Sequence, residues 1–367
     1  MTGIRRALAI AQKEFRQLRR DRLTFAMIVG IPLLQILLFG YAINTDVRHL
    51  RAGVVNEASS ELSRRLVADV QATQVVDVVV DVATPSELVS LLQRGAIAVG
   101  IYIPTDFDRR AADGIRVPAQ LLVDASDPTI LGAARGLVDL PIVRRDGLSG
   151  DRGAPPTFEL RPYYNPERRS AVYSVPGLIG TILTATMVLF TSLAIVRERE
   201  RGNLEFLITT PVRTVELMAG KVAPYVLIGL VQATLILLVG VWLFQVPVRG
   251  RLLDLYAAVT VFVAASLTLG LLISTVARTQ FQAMQMTVFV FLPSMLLSGF
   301  MFPFDGMPRL ARWIGELLPL THFLRLVRGI LLRGASLVDL YPDVLALVAF
   351  TLVTSVIAVL RFHKRLD

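Results

Sequence analysis

The chain has 367 residues, of which 54% are hydrophobic and only 18% charged, whereas soluble domains carry about 25% charged residues. The deficit is concentrated in long charge-free runs, which excludes an ordinary soluble enzyme. There is no cysteine, which excludes disulfides, thiolate nucleophiles and Cys-ligated metals. The net charge of +9 divides as +5 over residues 1–44, −2 over 45–174 and +6 over 175–367. Excess charge flanking apolar runs is what membrane topology produces, and it argues against nucleic acid as a partner.

Residues 1–23 place Ile4, Leu8, Ala11, Phe15 and Leu18 at steps of three or four among seven basic residues. This predicts an amphipathic interfacial helix on the cytoplasmic side. A charge-free run at 24–43 follows, long enough to cross a bilayer core as a helix. It is too long and too far from the N-terminus for a signal-peptide core, so a retained first span is the better reading. Residues 44–174 are too many for a connector. The β-branched runs at 52–55 and 75–82 predict strands, and 96–103, 119–123 and 158–163 are read as further strands. Helical spacing at 59–70, 85–94 and 130–145 predicts helices, the last despite Pro141, and the Gly/Pro-rich stretch 151–156 predicts a flexible link. The expectation is a mixed α/β domain, outside the cell, inserted between the first and second spans.

Five more runs, 175–196, 222–244, 255–277, 284–304 and 344–360, complete an α-helical integral membrane protein of six transmembrane helices. With the N-terminus in the cytoplasm, the inner segments 1–23, 197–221, 278–283 and 361–367 hold 16 basic residues in 61 positions. The short outer segments 245–254 and 305–343 hold 7 in 49. The bias puts both termini in the cytoplasm.

Catalytic patterns are missing. His49, His322 and His363 are dispersed, and the one Gly-Lys pair, at 220–221, lacks the rest of a phosphate-binding loop. No metal or cofactor site is therefore expected on this chain, and it is not expected to be an enzyme. Any ATP-driven work needs a partner that carries the ATP and Mg. The informative segment is 197–221. After Arg197, Glu198, Arg199, Glu200 and Arg201, Gly202 can terminate the preceding helix. Leu204, Phe206, Leu207 and Ile208 then supply an apolar face, with Glu205 on another side, and Pro211 ends the short element. A short amphipathic helix framed by charge suits a docking knob for a soluble partner; it also suits an ordinary connector anchored at the headgroups.

The run R-E-R-E-x-G-x-L-E-x-L-x-x-T-P over 197–211, followed by E-L-x-x-G-K over 216–221, resembles the coupling-helix region of type-2 ABC transporter permeases. The family's usual text is closer to E-x-G-T-x-E, so Asn203 is a small departure. Pro319 and His322 with Arg328-Gly329 match a P-x-x-x-x-x-x-x-x-R-G stretch before the family's last span. The order of one span, a large outer domain and five spans is similar to the bacterial multidrug-type exporter permeases with an extracytoplasmic insert. The resemblance covers essentially the whole chain. It implies a bacterial inner-membrane permease subunit that exports a drug-like or lipid-like substrate. Its partners would be a separate ABC-type ATP-binding subunit, a second permease subunit (homodimer or close heterodimer) and membrane lipid. Glu198, Glu200, Gly202, Leu204, Glu205, Phe206, Leu207 and Pro211 would form the ATPase-coupling segment. Residues 305–335 would form short outer re-entrant helices carrying Pro319, His322, Arg325 and Arg328. Arg309, Arg312, Arg325, Arg328 and Arg333 there would be costly facing lipid unless snorkelling or paired, with Glu316 and Asp339 as possible partners.

Two other classes fit parts of the pattern. A membrane-anchored sensor or scaffold would use the outer domain for binding, but no signalling domain follows the spans. A secondary transporter would favour charged or broken helices at mid-membrane, and five of the spans carry no charge. Polar and aromatic positions that could line a pathway are Thr181, Thr184, Thr186, Phe190, Gln232, Gln285, Met286 and Phe289. Gly30, Gly180, Ser294 and Ser298 could let helices of two subunits approach closely.

Overall fold

The computed structural model describes residues 47–142, 156–202 and 214–361, with the backbone alone over 214–222 and at Asp305. The amphipathic helix expected at 1–23, the first span at 24–43 and the link at 151–155 lie outside these residues.

The first body is a five-stranded sheet: β1 (Leu50–Asn56), β2 (Val76–Asp81), β3 (Val99–Ile103), β4 (Ala119–Asp124) and β5 (Phe158–Tyr163), in the order β2-β1-β3-β4-β5. β1 runs parallel to β2 and β3, β4 is antiparallel to β3, and β5 is parallel to β4. Alternation along the strands sorts side chains to two faces. Leu50, Ala52 and Val54 of β1 and Val99, Ile101 and Ile103 of β3 join one core with Leu66 and Val70 of α1 (Glu61–Ala72). Val55 and Leu122 join a second core with Leu88 and Leu92 of α2 (Pro85–Arg94). α2 opens on a side-chain cap: Thr84 Oγ1 accepts from the Glu87 amide, and the Glu87 carboxylate in turn accepts from the Ala83 amide just ahead of the cap. It ends at Gly95, whose φ of +70° suits glycine.

Two helical details differ from the sequence expectation. Phe107–Asp113 forms a short helix, α3, that alternating apolar residues do not announce; Phe107 is buried and Arg110 pairs with Asp106 at 2.8 Å. The helix expected over 130–145 is instead α4 (Pro128–Arg135), capped by Asp127, whose carboxylate accepts from the Thr129 amide. Beyond Arg135 the chain tightens into i→i+3 turns through Leu140, ahead of Pro141. Residues 143–145 are not described.

Among the described residues, the second body is a helical bundle with five helices long and apolar enough to cross a membrane. They are α5 (Ser170–Glu200), α6 (Thr214–Trp242), α7 (Leu252–Val276), α8 (Gln280–Leu297) and, after the shorter segments below, Tyr341–Arg361. α7 is the most buried and lies against α5 and Tyr341–Arg361, which with α6 forms the periphery. Gly270 of α7 permits this closeness: a Cβ there would come within 2.7 Å of the Val188 carbonyl oxygen of α5. Hydroxyl and amide contacts tie neighbours together. Thr186 lies 2.9 Å from Gln232, Thr234 2.8 Å from Tyr256, Thr268 2.8 Å from Thr354 and Ser192 3.3 Å from Thr287. Such bonds contribute roughly 0.6 kcal/mol each inside a membrane.

The ends of these helices differ from the charge-free runs. α5 continues past Val196 through Arg197 to Glu200 because its last turn is hydrogen-bonded to the α7–α8 loop. α8 stops at Leu297 rather than 304, since Gly299 takes a φ of +83° and turns the chain. Between α8 and the last long helix lie α9 (Arg309–Glu316) and α10 (Pro319–Arg328), the latter continued by a π-turn at Gly329–Arg333; Tyr341–Arg361 is then α11. Phe323 of α10 stacks on Phe262 of α7 with ring centroids 4.0 Å apart. Gly180, Ser294 and Ser298 are spent inside the chain. Gly180 makes room for Leu320 and Phe323, and both serines are buried. These three are therefore not a free face for a second subunit, as their small size had suggested.

Candidate functional site

The bundle has two chemically distinct ends. At the end away from the sheet, the charged turn that closes α5 is fastened to the α7–α8 loop. Arg199 Nη1 donates to the carbonyls of Ser274 (3.3 Å) and Ala277 (3.1 Å). The Glu200 carboxylate accepts from the Gln280 amide at 2.9 Å and from its side-chain amide at 2.5 Å. Thr279 caps α8 by accepting from the Gln282 amide. Gly202 takes a φ of +70° just past the helix end, and its amide reaches back to the Arg199 carbonyl. Glu198 also lies on this last turn. Leu204, Glu205, Phe206, Leu207 and Pro211 fall outside the described residues, and the backbone resumes as helix at Thr214. Three helices thus share one junction at the C-terminal end of α5.

The other end faces the sheet. Pro319 opens α10 at a position where its missing N–H costs nothing. His322 is buried one turn on. Its Nδ1 lies 2.8 Å from the Asp343 carboxylate of α11 and its Nε2 2.9 Å from the Glu316 carbonyl of α9. Arg325 binds Glu316 through two nitrogens at 2.6 and 3.1 Å, reaches Asp343 at 3.4 Å and lies over the Phe304 ring. Burial pulls the imidazole pKa down, but the hydrogen bonds to Asp343 and to the Glu316 carbonyl outweigh it and hold it above the usual value. Arg328 takes another route. It donates to the Gly299 carbonyl at 3.2 Å and lies 4.4 Å over Tyr173, a cation–π contact. Tyr173 in turn donates to the Phe300 carbonyl.

Arg333 joins the two bodies. It lies 3.4 Å from Asp124 at the end of β4, and both side chains are nearly buried, at 11% and 6% exposure. Asp124 also accepts from the amide and hydroxyl of Ser126. Gly95 admits the guanidinium: a Cβ there would sit 2.4 Å from Arg333 Nη1. Around the pair, Gln93 donates to the Gly334 carbonyl, Arg94 pairs with Asp339 at 3.4 Å, and Arg249 lies over Tyr164. Burial, reinforced by Asp124, pushes the Tyr164 phenol up to about 12.

Sequence reasoning named Glu316 and Asp339 as possible partners for the arginines. Glu316 does hold Arg325, whereas Asp339 holds Arg94 of the sheet domain rather than an arginine of its own segment. Asp343 and Asp124 were missed as partners. Of the polar positions suggested for a pathway, Thr181 and Thr184 bond back to carbonyls of their own helix, and Thr186 and Gln232 bind each other. Phe190 and Phe289 remain outward-facing. Among the described residues no cluster of metal-ligating side chains occurs.

Five spanning-length helices among the described residues, a sheet domain fastened to one end of them and a charged junction at the other define a multi-pass membrane protein. Residues 22–360 match the family described as ABC-2 family transporter protein, and the chain belongs to that family. It is 33% identical to the probable multidrug ABC transporter permease YbhS of Escherichia coli K12, over 99% of this chain and 98% of that one. It is 26% identical to the inner membrane transport permease YhhJ of the same strain, over 99% and 98%. ABC transporter G family member 20 of Dictyostelium discoideum is 23% identical over 98% of this chain but only 51% of its own length. No solved structure matches. The chain is thus a multi-pass ABC-2 permease, the membrane-spanning subunit of an ABC exporter and not its ATPase.

Proposed function

We propose that this permease exports a hydrophobic or amphipathic substrate, drug-like or lipid-like, from the cytoplasm or inner leaflet of a bacterial inner membrane. A separate ATP-binding subunit, holding ATP and Mg, docks on the segment 197–221 at the cytoplasmic face. The carrying observation is the junction at the end of α5. Because Arg199 and Glu200 bind the α7–α8 loop, a displacement imposed on the coupling segment moves α5, α7 and α8 together. α5 is 31 residues long, about 46 Å at 1.5 Å per residue, so it carries that displacement to Tyr173 and the outer segment. A second permease subunit, identical or closely similar, completes the pathway. The outward apolar faces of α6 and α8, with Leu227, Val231 and Leu235 on one and Phe281, Met284 and Val288 on the other, are available to it and to lipid.

This scheme requires the sheet domain outside and both termini inside. In intact cells, single cysteines at the exposed positions Ser59 and Ile115 are expected to react with an impermeant thiol reagent, and one at Thr2 is not. Since the chain has no native cysteine, the labelling is unambiguous. Reaction at Thr2 with protection of the other two would reverse the orientation and remove the docking site from the cytoplasm.

A further inference from the structure

We propose that His322 is a proton-operated latch: as an imidazolium it clamps α10 between α9 and α11, and its deprotonation loosens the α9–α10 hairpin. Both ring nitrogens face oxygen acceptors, the Asp343 carboxylate at 2.8 Å and the Glu316 carbonyl at 2.9 Å. A neutral imidazole has one N–H and can donate to only one of them; the other contact would then set a nitrogen lone pair against an oxygen. Only the protonated ring donates to both.

Charge balance leads to the same conclusion. The groups facing His322 are Asp343 from α11, Glu316 from α9 with its carboxylate 3.8 Å from Nε2, and Arg325 from α10 itself. Arg312 of α9 instead donates to the Met307 carbonyl. Two carboxylates against Arg325 alone leave one negative charge, and His322 and Asp343 are only 11% and 15% exposed. An unbalanced charge there is costly, and the imidazolium neutralises it. The raised imidazole pKa sets the sign. A group held above its free value stabilises the closed form fully below that free value, and the contribution fades as pH rises through the raised value. The latch is therefore shut below the free imidazole value and opens as pH rises through the raised one.

The latch is a property of the chain, whereas its effect on export rests on the function proposed above, so its test reads the hairpin directly. Ala311 on α9 is buried against Leu297 and Met307. In lipid nanodiscs, the thiol-labelling rate of Ala311→Cys is divided by that of the exposed Ile115→Cys, which cancels the intrinsic pH dependence of thiol chemistry. The ratio is expected to climb severalfold as pH rises from the free imidazole value through the raised one. In a His322→Gln background the ratio is expected to be high and flat across that range. Asp343→Asn, which keeps the shape but removes one carboxylate, is expected to move the midpoint to lower pH, and it serves alone if His322→Gln does not fold. A flat ratio in the parent chain, or an unaltered pH curve in either background, would overturn the proposal.

Discussion

Arg333→Met in the full chain is expected to lower stability by about 3–5 kcal/mol, the cost of removing one partner from a buried ion pair. Asp124 would be left nearly buried with the Ser126 amide and hydroxyl as its remaining contacts. Methionine keeps much of the volume but none of the charge, so the loss is electrostatic rather than a cavity. Asp124→Asn on its own is expected to be costly for the mirror-image reason. The double variant should recover most of the loss, because no unpaired charge remains. Unfolding of the detergent-solubilised chain, followed as a double-mutant cycle, measures this coupling. A single-variant loss within about 0.5 kcal/mol, the ordinary range for surface changes, would mean that the sheet domain is not fastened to the bundle through this pair.

Phe206→Ala combined with Leu207→Ala is expected to weaken ATPase-subunit binding by about 2–4 kcal/mol, since large apolar anchors buried in a partner's groove dominate such interfaces. Insertion of the permease should be unchanged, and export should fall in parallel. ATP binding elsewhere can shift the permease only through contacts that differ between two states of the ATPase. The α7–α8 connection spans only 277–279, leaving 201–213 as the one loop between described helices at this end long enough to form a knob. Glu205→Gln is expected to spare assembly more than coupled turnover. Co-purification of the ATPase subunit with each variant, beside an export assay, separates these effects. Normal recovery and normal export in the double variant would reduce the segment to a connector.

The five described spanning helices were legible because a charge-free run of some 20 residues is rarely anything but a membrane span. Their ends were not, because a helix stops where its backbone and side chains run out of partners, not where charge begins. Arg199 and Glu200 extend α5 by finding the carbonyls of 274 and 277 and the amides of Gln280, none of which is local in sequence. The sheet domain was legible from β-branched runs at β1 and β2 and from apolar stretches at the other strands, but α3 was not: its one deeply buried residue, Phe107, cannot set a period. The outer arginines were recognised as requiring compensation, but only part of that compensation could be identified. Asp343 lies 18 residues from Arg325 and Asp124 lies 209 from Arg333, and a single chain carries no sign of such pairings. Gly180 and the two serines show the converse. A small residue on a membrane helix marks a close approach, but not whether the neighbour belongs to the same subunit.

The proposed export runs on ATP hydrolysed by another subunit. The most direct measurement compares proteoliposomes containing the purified chain alone with others containing the chain and its ATP-binding subunit. Substrate translocation and phosphate release are followed together, with a lipophilic fluorescent dye as cargo. The expected result is neither activity with the chain alone, and both, coupled and Mg-dependent, when the ATP-binding subunit is present. Sustained ATP hydrolysis by the chain alone, or hydrolysis by the complex with no translocation of dye or labelled lipid, would overturn this function.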